Sequence, residues 1–174
     1  MEEYFEIFYL WKRKKWREIA INHGFGYIVK SKSPKFYASW MNSALFLYSI
    51  FRNHRIISLG YYEMMVSDFD SVKFPKYEAF TIGERNLLIE SWESLASLPD
   101  DQVSFLPQQL GADLVIKSKK KKNPPPDKII HFARLPERVA LDKVWMRAIG
   151  VAEDKIDESL EEIYEWLINY MKTR

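Results

Sequence analysis

The sequence predicts an α+β fold: several helices around a small, mainly antiparallel sheet, in a single compact domain with a long basic hairpin loop. Three observations predict it. The chain has 174 residues, the length of one ordinary domain. Apolar residues make up 47% and charged residues 29%, the balance of a globular chain with a core. Helical apolar spacing is interrupted by short apolar runs that do not alternate regularly with the helices, which disfavours a doubly wound parallel sheet.

The elements follow in order. Tyr4 to Trp11 is densely apolar and fits either strand or helix. From Lys12 the spacing is helical, with Trp16, Ile19 and Ala20 on one face and Gly24 as a stop. Phe25 to Lys30 reads as a short strand. Ser33 is placed to cap the next helix, and Pro34 suits its first position, where a missing N–H costs nothing. Tyr37, Trp40, Met41, Ala44, Tyr48 and Phe51 then continue one helical pattern, apolar nearly all round, up to Asn53-His54. Such a helix belongs in the centre of a core. Its 16 uncharged residues, Phe36 to Phe51, fall short of the roughly 20 that span a bilayer.

Arg55 to Asp68 reads as a strand, bulged or turned at Gly60. Thr81-Ile82-Gly83-Glu84 is a capping box, followed by helical spacing of Leu87, Leu88, Trp92 and Leu95 up to Ser97. Pro99-Asp100-Asp101 opens a short helix or turn ending near Gly111. Ala112 to Ile116 and Lys128 to Leu135 are strands that can form a hairpin across residues 117–127, a mobile Lys/Pro-rich loop. Pro136 opens a helix through Leu141, Val144, Trp145 and Ala148. Residues 152–172 form an acidic amphipathic helix. Ile156, Leu160, Ile163, Tyr164, Leu167 and Met171 lie on one face, and Asp157, Glu158, Glu161, Glu162 and Glu165 on the other.

Charge is blocked along the chain. Residues 1–56 hold 10 Lys/Arg against 4 Asp/Glu, net +6, and residues 57–115 hold 3 against 10, net −7. Residues 116–149 hold 10 against 3, net +7, and residues 150–174 hold 3 against 7, net −4. Such asymmetry bears on partners. Two clusters dominate the basic blocks. Lys117, Lys119, Lys120, Lys121 and Lys122 precede three prolines, so they stay solvated and out of any strand ladder. Lys12, Arg13, Lys14, Lys15 and Arg17 surround Trp16, with Arg13 and Arg17 one helical turn apart. Lys30, Lys32 and Lys35 add charge near a helix start. Lysines make point-charge contacts with phosphates without reading bases, so these segments would supply affinity and not sequence specificity. Each cluster also fits a merely solvated face or loop.

Three functions are compatible with these residues. The first is a non-catalytic nucleic-acid-binding protein, or an accessory subunit of a DNA- or RNA-processing assembly, holding phosphates through the basic clusters. The second is a metal-dependent nuclease or nucleotidyl-transfer enzyme. Asp68 and Asp70 at a strand end would project to one side and could share a divalent cation, with Asp113 as a third carboxylate. The third is a protein-interaction subunit that uses the acidic C-terminal helix. Gly111-Ala112-Asp113 with His131 resembles a stretch of tRNA-splicing endonucleases, over four residues that transfer no role.

Other classes are disfavoured. There is no cysteine, hence no disulfide, thiolate metal site or cysteine nucleophile. His23, His54 and His131 have no metal-ligand spacing. No phosphate loop, dinucleotide fingerprint or Gly-x-Ser-x-Gly elbow occurs. No cofactor and no membrane partner are expected. The acidic start, Met1-Glu2-Glu3-Tyr4, lacks the order of a secretory signal, and with the absent cysteine it suggests a cytoplasmic protein. Abundant Lys (17), Glu (15) and Ile (16) beside Gln (3) suggest a thermophilic origin.

Overall fold

The computed structural model describes residues 33–53, 72–103, 106–116 and 128–172. These residues form a helical body, which corrects the expected α+β class. Their only strands are one antiparallel pair of three residues each, and the rest is helix, turn and loop. The expected elements at 4–30 and 55–68 and the 117–127 loop lie outside the described residues.

The helices are α1 (Pro34–Met41), α2 (Ala44–Asn53), α3 (Ile82–Ala96), the short α4 (Asp100–Val103) and α5 (Leu106–Gln109), α6 (Pro136–Ala148) and α7 (Glu153–Lys172). A 3-10 turn, Tyr77–Ala79, precedes α3. Helix α6 packs against α3, α7 and α2, α1 packs on α3, and α2 on α7. Phe36, Trp40, Leu88, Leu95, Leu141, Trp145, Leu160 and Leu167 are buried in the shared core. The spacing of these residues at three and four positions is what turns them to one side of each helix. Leu87 is the exception: it is 55% exposed, and its neighbour Leu88 takes the core position.

The helix starts obey local chemistry in part. Thr81 accepts from the Glu84 N–H, and the Glu84 carboxylate accepts from the Thr81 N–H, the reciprocal box the sequence predicts. Pro34 and Pro136 each open a helix. Ser33 holds the cap position of α1 without its side chain capping. Its hydroxyl bonds the Tyr77 phenol instead and, with the Arg85 guanidinium, holds that phenol below its ordinary value. Gly111 and Gly150 end α5 and α6 at φ 75° and 88°. In both places the next two N–H groups return to carbonyls of the last turn, as Gly111 to Gln108 and Ala112 to Pro107, and as Gly150 to Arg147 and Val151 to Met146.

The single helix expected over 34–53 is two helices, broken at Asn42-Ser43. The Ser43 hydroxyl takes the Phe46 N–H, and the Asn42 side chain donates back to Ala38. The expected hairpin is present but short. β1 (Leu114–Ile116) pairs antiparallel with β2 (Lys128–Ile130) in the register Leu114–Ile130, Val115–Ile129 and Ile116–Lys128. The second strand, expected to run to Leu135, stops because the chain turns to the end of α5. The Leu135 N–H donates to Gln109 O at 3.1 Å, and the Arg134 guanidinium to Leu110 O at 3.1 Å. Those carbonyls at a helix end need partners, and residues 134–135 supply them in place of a longer ladder.

Candidate functional site

Most of the residues singled out in the sequence lie outside the described residues: Lys12, Arg13, Lys14, Lys15, Arg17, Lys117, Lys119, Lys120, Lys121, Lys122, Asp68, Asp70, His23 and His54. Of the remainder, Lys35 reaches across to α3 and binds Glu93 at 2.5 Å. Asp113 and His131 come together. They extend the hairpin register by one pair beyond Leu114–Ile130, and the Asp113 carboxylate lies 2.9 Å from His131 Nδ1. Facing residues of an antiparallel pair point to the same side, which is why they meet. Asp113 thus serves an exposed pair with a histidine. Among the described residues, no three His, Asp or Glu side chains gather to hold a metal ion.

The hairpin also marks a division of charge. In the 116–149 block every cation after Lys128 has an acid of its own. Arg134 grips Glu161 through both terminal nitrogens, at 2.5 and 2.9 Å. Lys143 meets Asp157 at 2.6 Å, and Arg147 meets Glu153 at 2.5 Å. Arg138 lies 4.0 Å from Asp142. The guanidinium of Arg147 holds the Glu153 carboxyl below its usual value, and that of Arg134 does the same for Glu161. The other cations of the block are Lys117, Lys119, Lys120, Lys121, Lys122 and Lys128, which sit between or on the two strands.

A second polar assembly, inside the core, was not anticipated. Arg138 and Asp142 on α6 are 2% and 0% exposed. Asp142 Oδ1 accepts from the Ala44 N–H at 2.7 Å, and Oδ2 accepts from the Tyr164 hydroxyl at 2.8 Å. Arg138 donates to the Asn42 carbonyl and, from Nε and a terminal nitrogen, to the Gln109 side chain. Gln109 in turn donates to Val103 O at 2.6 Å. Five helices therefore meet at one buried pair. Burial pushes the Asp142 carboxyl up, against the pull of Arg138, the Ala44 N–H and the Tyr164 hydroxyl. Burial also pushes the Tyr164 phenol up, with Asp142 beside it, so Tyr164 acts here as a permanent donor. The signal was present in the sequence. Arg138, Leu141, Asp142 and Trp145 share one face of α6, and two charged residues at apolar spacing mark a buried pair.

No helix of the described residues is long and apolar enough to cross a membrane. Compared with protein-family models, curated proteins and solved structures, the chain finds no match.

Proposed function

We propose that the chain is a nucleic-acid-binding protein, or an accessory subunit of a nucleic-acid-processing assembly, that grips phosphates through its lysine-rich hairpin. One observation carries the reading. The fold places Arg134, Arg138, Lys143 and Arg147 beside acids of its own, and the sequence concentrates the other six cations of the +7 block at Lys117, Lys119 to Lys122 and Lys128. The strands of the hairpin flank five of these lysines and carry the sixth. A concentrated cationic segment releases counterions from a phosphate backbone and binds without regard to base sequence. Lys12, Arg13, Lys14, Lys15 and Arg17 form the second such segment. The acidic helix α7 lends less support to a role in protein docking, because Glu153, Asp157, Glu158 and Glu161 already hold Arg147, Lys143, Lys155 and Arg134.

A salt titration of binding to a mixed-sequence oligonucleotide tests the reading. Replacing Lys119, Lys120, Lys121 and Lys122 with Ala should weaken binding about equally for all sequences. It should also flatten the salt slope by at most about one unit per lost phosphate contact. Asp68→Asn/Asp70→Asn should leave both binding and any Mg²⁺- or Mn²⁺-dependent cleavage unchanged. No binding by the parent protein at low ionic strength overturns the reading. A metal-dependent cleavage abolished by the aspartate variants makes the enzyme the better one.

A further inference from the structure

We infer that the Arg138–Asp142 pair is a clip that specifies the break between α1 and α2, so that the segment 34–53 has two arrangements and α6 selects the broken one. The argument begins with what a break exposes. Where α1 stops, its last carbonyls lose their helical partners, and where α2 starts, its first N–H groups do. One of each is taken up here by a side chain of α6, the half-buried Asn42 carbonyl and the buried Ala44 N–H. The guanidinium takes the first and the carboxylate takes the second. The signs also match the helix dipoles. The cation sits at the negative end of α1 and the anion at the positive end of α2. Arg138 and Asp142 are one turn apart on α6, so a single helix face presents both charges at the spacing of the break. Gln109 accepts two further bonds from Arg138, and Tyr164 donates to the second oxygen of Asp142, which holds both side chains.

The alternative arrangement is a continuous helix. The apolar spacing from Tyr37 to Phe51 fits one without interruption, and neither proline nor glycine stands between Pro34 and Asn53. In that helix the Asn42 carbonyl and the Ala44 N–H would find backbone partners four residues away, and the clip would have nothing to hold. A buried ion pair contributes little net stability against apolar residues of similar volume, and its better-attested use is to specify one arrangement over another.

The test uses the absence of cysteine. Spin labels placed through Lys35→Cys and Arg52→Cys report the span of the segment. A continuous helix puts residues 17 apart about 26 Å from each other at a rise of about 1.5 Å per residue, and the bend of the chain at Ser43 brings the two ends closer than that. With the clip intact, the distance should stay below about 26 Å. In Arg138→Met/Asp142→Leu it should lengthen towards that value or become bimodal. An unchanged distribution in the folded double variant overturns the inference. A second arm removes only the local caps, through Asn42→Ala/Ser43→Ala, with the clip in place. The short distance should persist there, and its loss would show that local capping makes the break, overturning the inference even if the clip variant does not fold.

Discussion

At the scale of single residues, three glycines of the described chain predict three different responses to one methyl group. An alanine at Gly111 would need φ near 75° and would place its Cβ 3.0 Å from the Arg134 backbone nitrogen. Neither can relax cheaply, and Gly111→Ala should cost about 1–3 kcal/mol. Gly150 shares the positive φ but meets nothing within 4 Å, so Gly150→Ala should cost less, about 1 kcal/mol. Gly83 lies in the exposed first turn of α3 with open space around it, and Gly83→Ala should stabilise by about 0.4–1 kcal/mol. Denaturant unfolding of the three variants gives the order, and a Gly111 variant no worse than the Gly83 one would refute it. Trp40 is 8% exposed and meets Trp145 edge-on at a centroid distance of 4.9 Å, with Phe46 at 6.1 Å. Trp40→Ala should therefore cost about 3–5 kcal/mol. The burial of Trp40 and of Leu88, Leu141 and Leu160 was legible in the sequence because helical period alone decides which side a residue takes. The pairing of Lys35 with Glu93, 58 positions away, was not, because no local pattern encodes a contact between helices.

At the scale of elements, the same division holds between local and long-range causes. Helices α3, α6 and α7 match their expected extents because their starts and stops are written in adjacent residues: Thr81 with Glu84, Pro136 with Gly150, and the apolar stripe from Ile156 to Leu167. The 34–53 segment departs from the expected continuous helix at Asn42-Ser43, where two of the groups that bond the break, Arg138 and Asp142, come from α6, nearly a hundred residues on. The second strand was misread as longer because Leu135 bonds Gln109 and not a strand partner. The α+β class gives way because helices make up most of the described residues, and the one expected strand pair that lies among them is cut to three residues a side where a helix end claims the backbone that follows. The cap of α3 gives a clean test of the local kind. Thr81→Ala removes the oxygen that accepts from the Glu84 N–H and should cost about 1 kcal/mol. Thr81→Ser keeps that oxygen and should recover most of the loss in thermal unfolding. Equal losses in the two variants would mean that the methyl group matters and the cap does not.

At the scale of the whole molecule, charge is arranged so that the acidic helix α7 answers Arg134, Lys143 and Arg147 of its neighbours. Sequence blocks revealed the surplus but not its partition, because the partners of Arg134, Lys143 and Arg147 are set by how α6 and the 131–135 segment lie on α7. The partition predicts how stability depends on pH. Arg134 and Arg147 hold Glu161 and Glu153 below their ordinary values, and the Thr81 cap does so for Glu84. A carboxyl held low in the folded state binds its proton more readily when unfolded. Its contribution is complete above the unfolded value, near about 4.3, and is lost as pH falls through the folded value. Asp142 runs the other way. Burial raises it, so its contribution is complete below the unfolded value and is lost as pH rises through the folded one. Three carboxyls against one should make the protein less stable from about pH 4.5 downwards. Added salt should weaken the effect, because Glu153 and Glu161 stand largely in solvent. Thermal melts from pH 7 to pH 3 at two salt concentrations measure this. Glu153→Gln/Glu161→Gln should melt lower than the parent at pH 7 and change less between pH 5 and pH 3. If the parent and this variant fall in parallel on the acid side, the ion pairs along α7 are not what acid undoes, and the Thr81–Glu84 cap, whose carboxyl is also held low, becomes the next group to test.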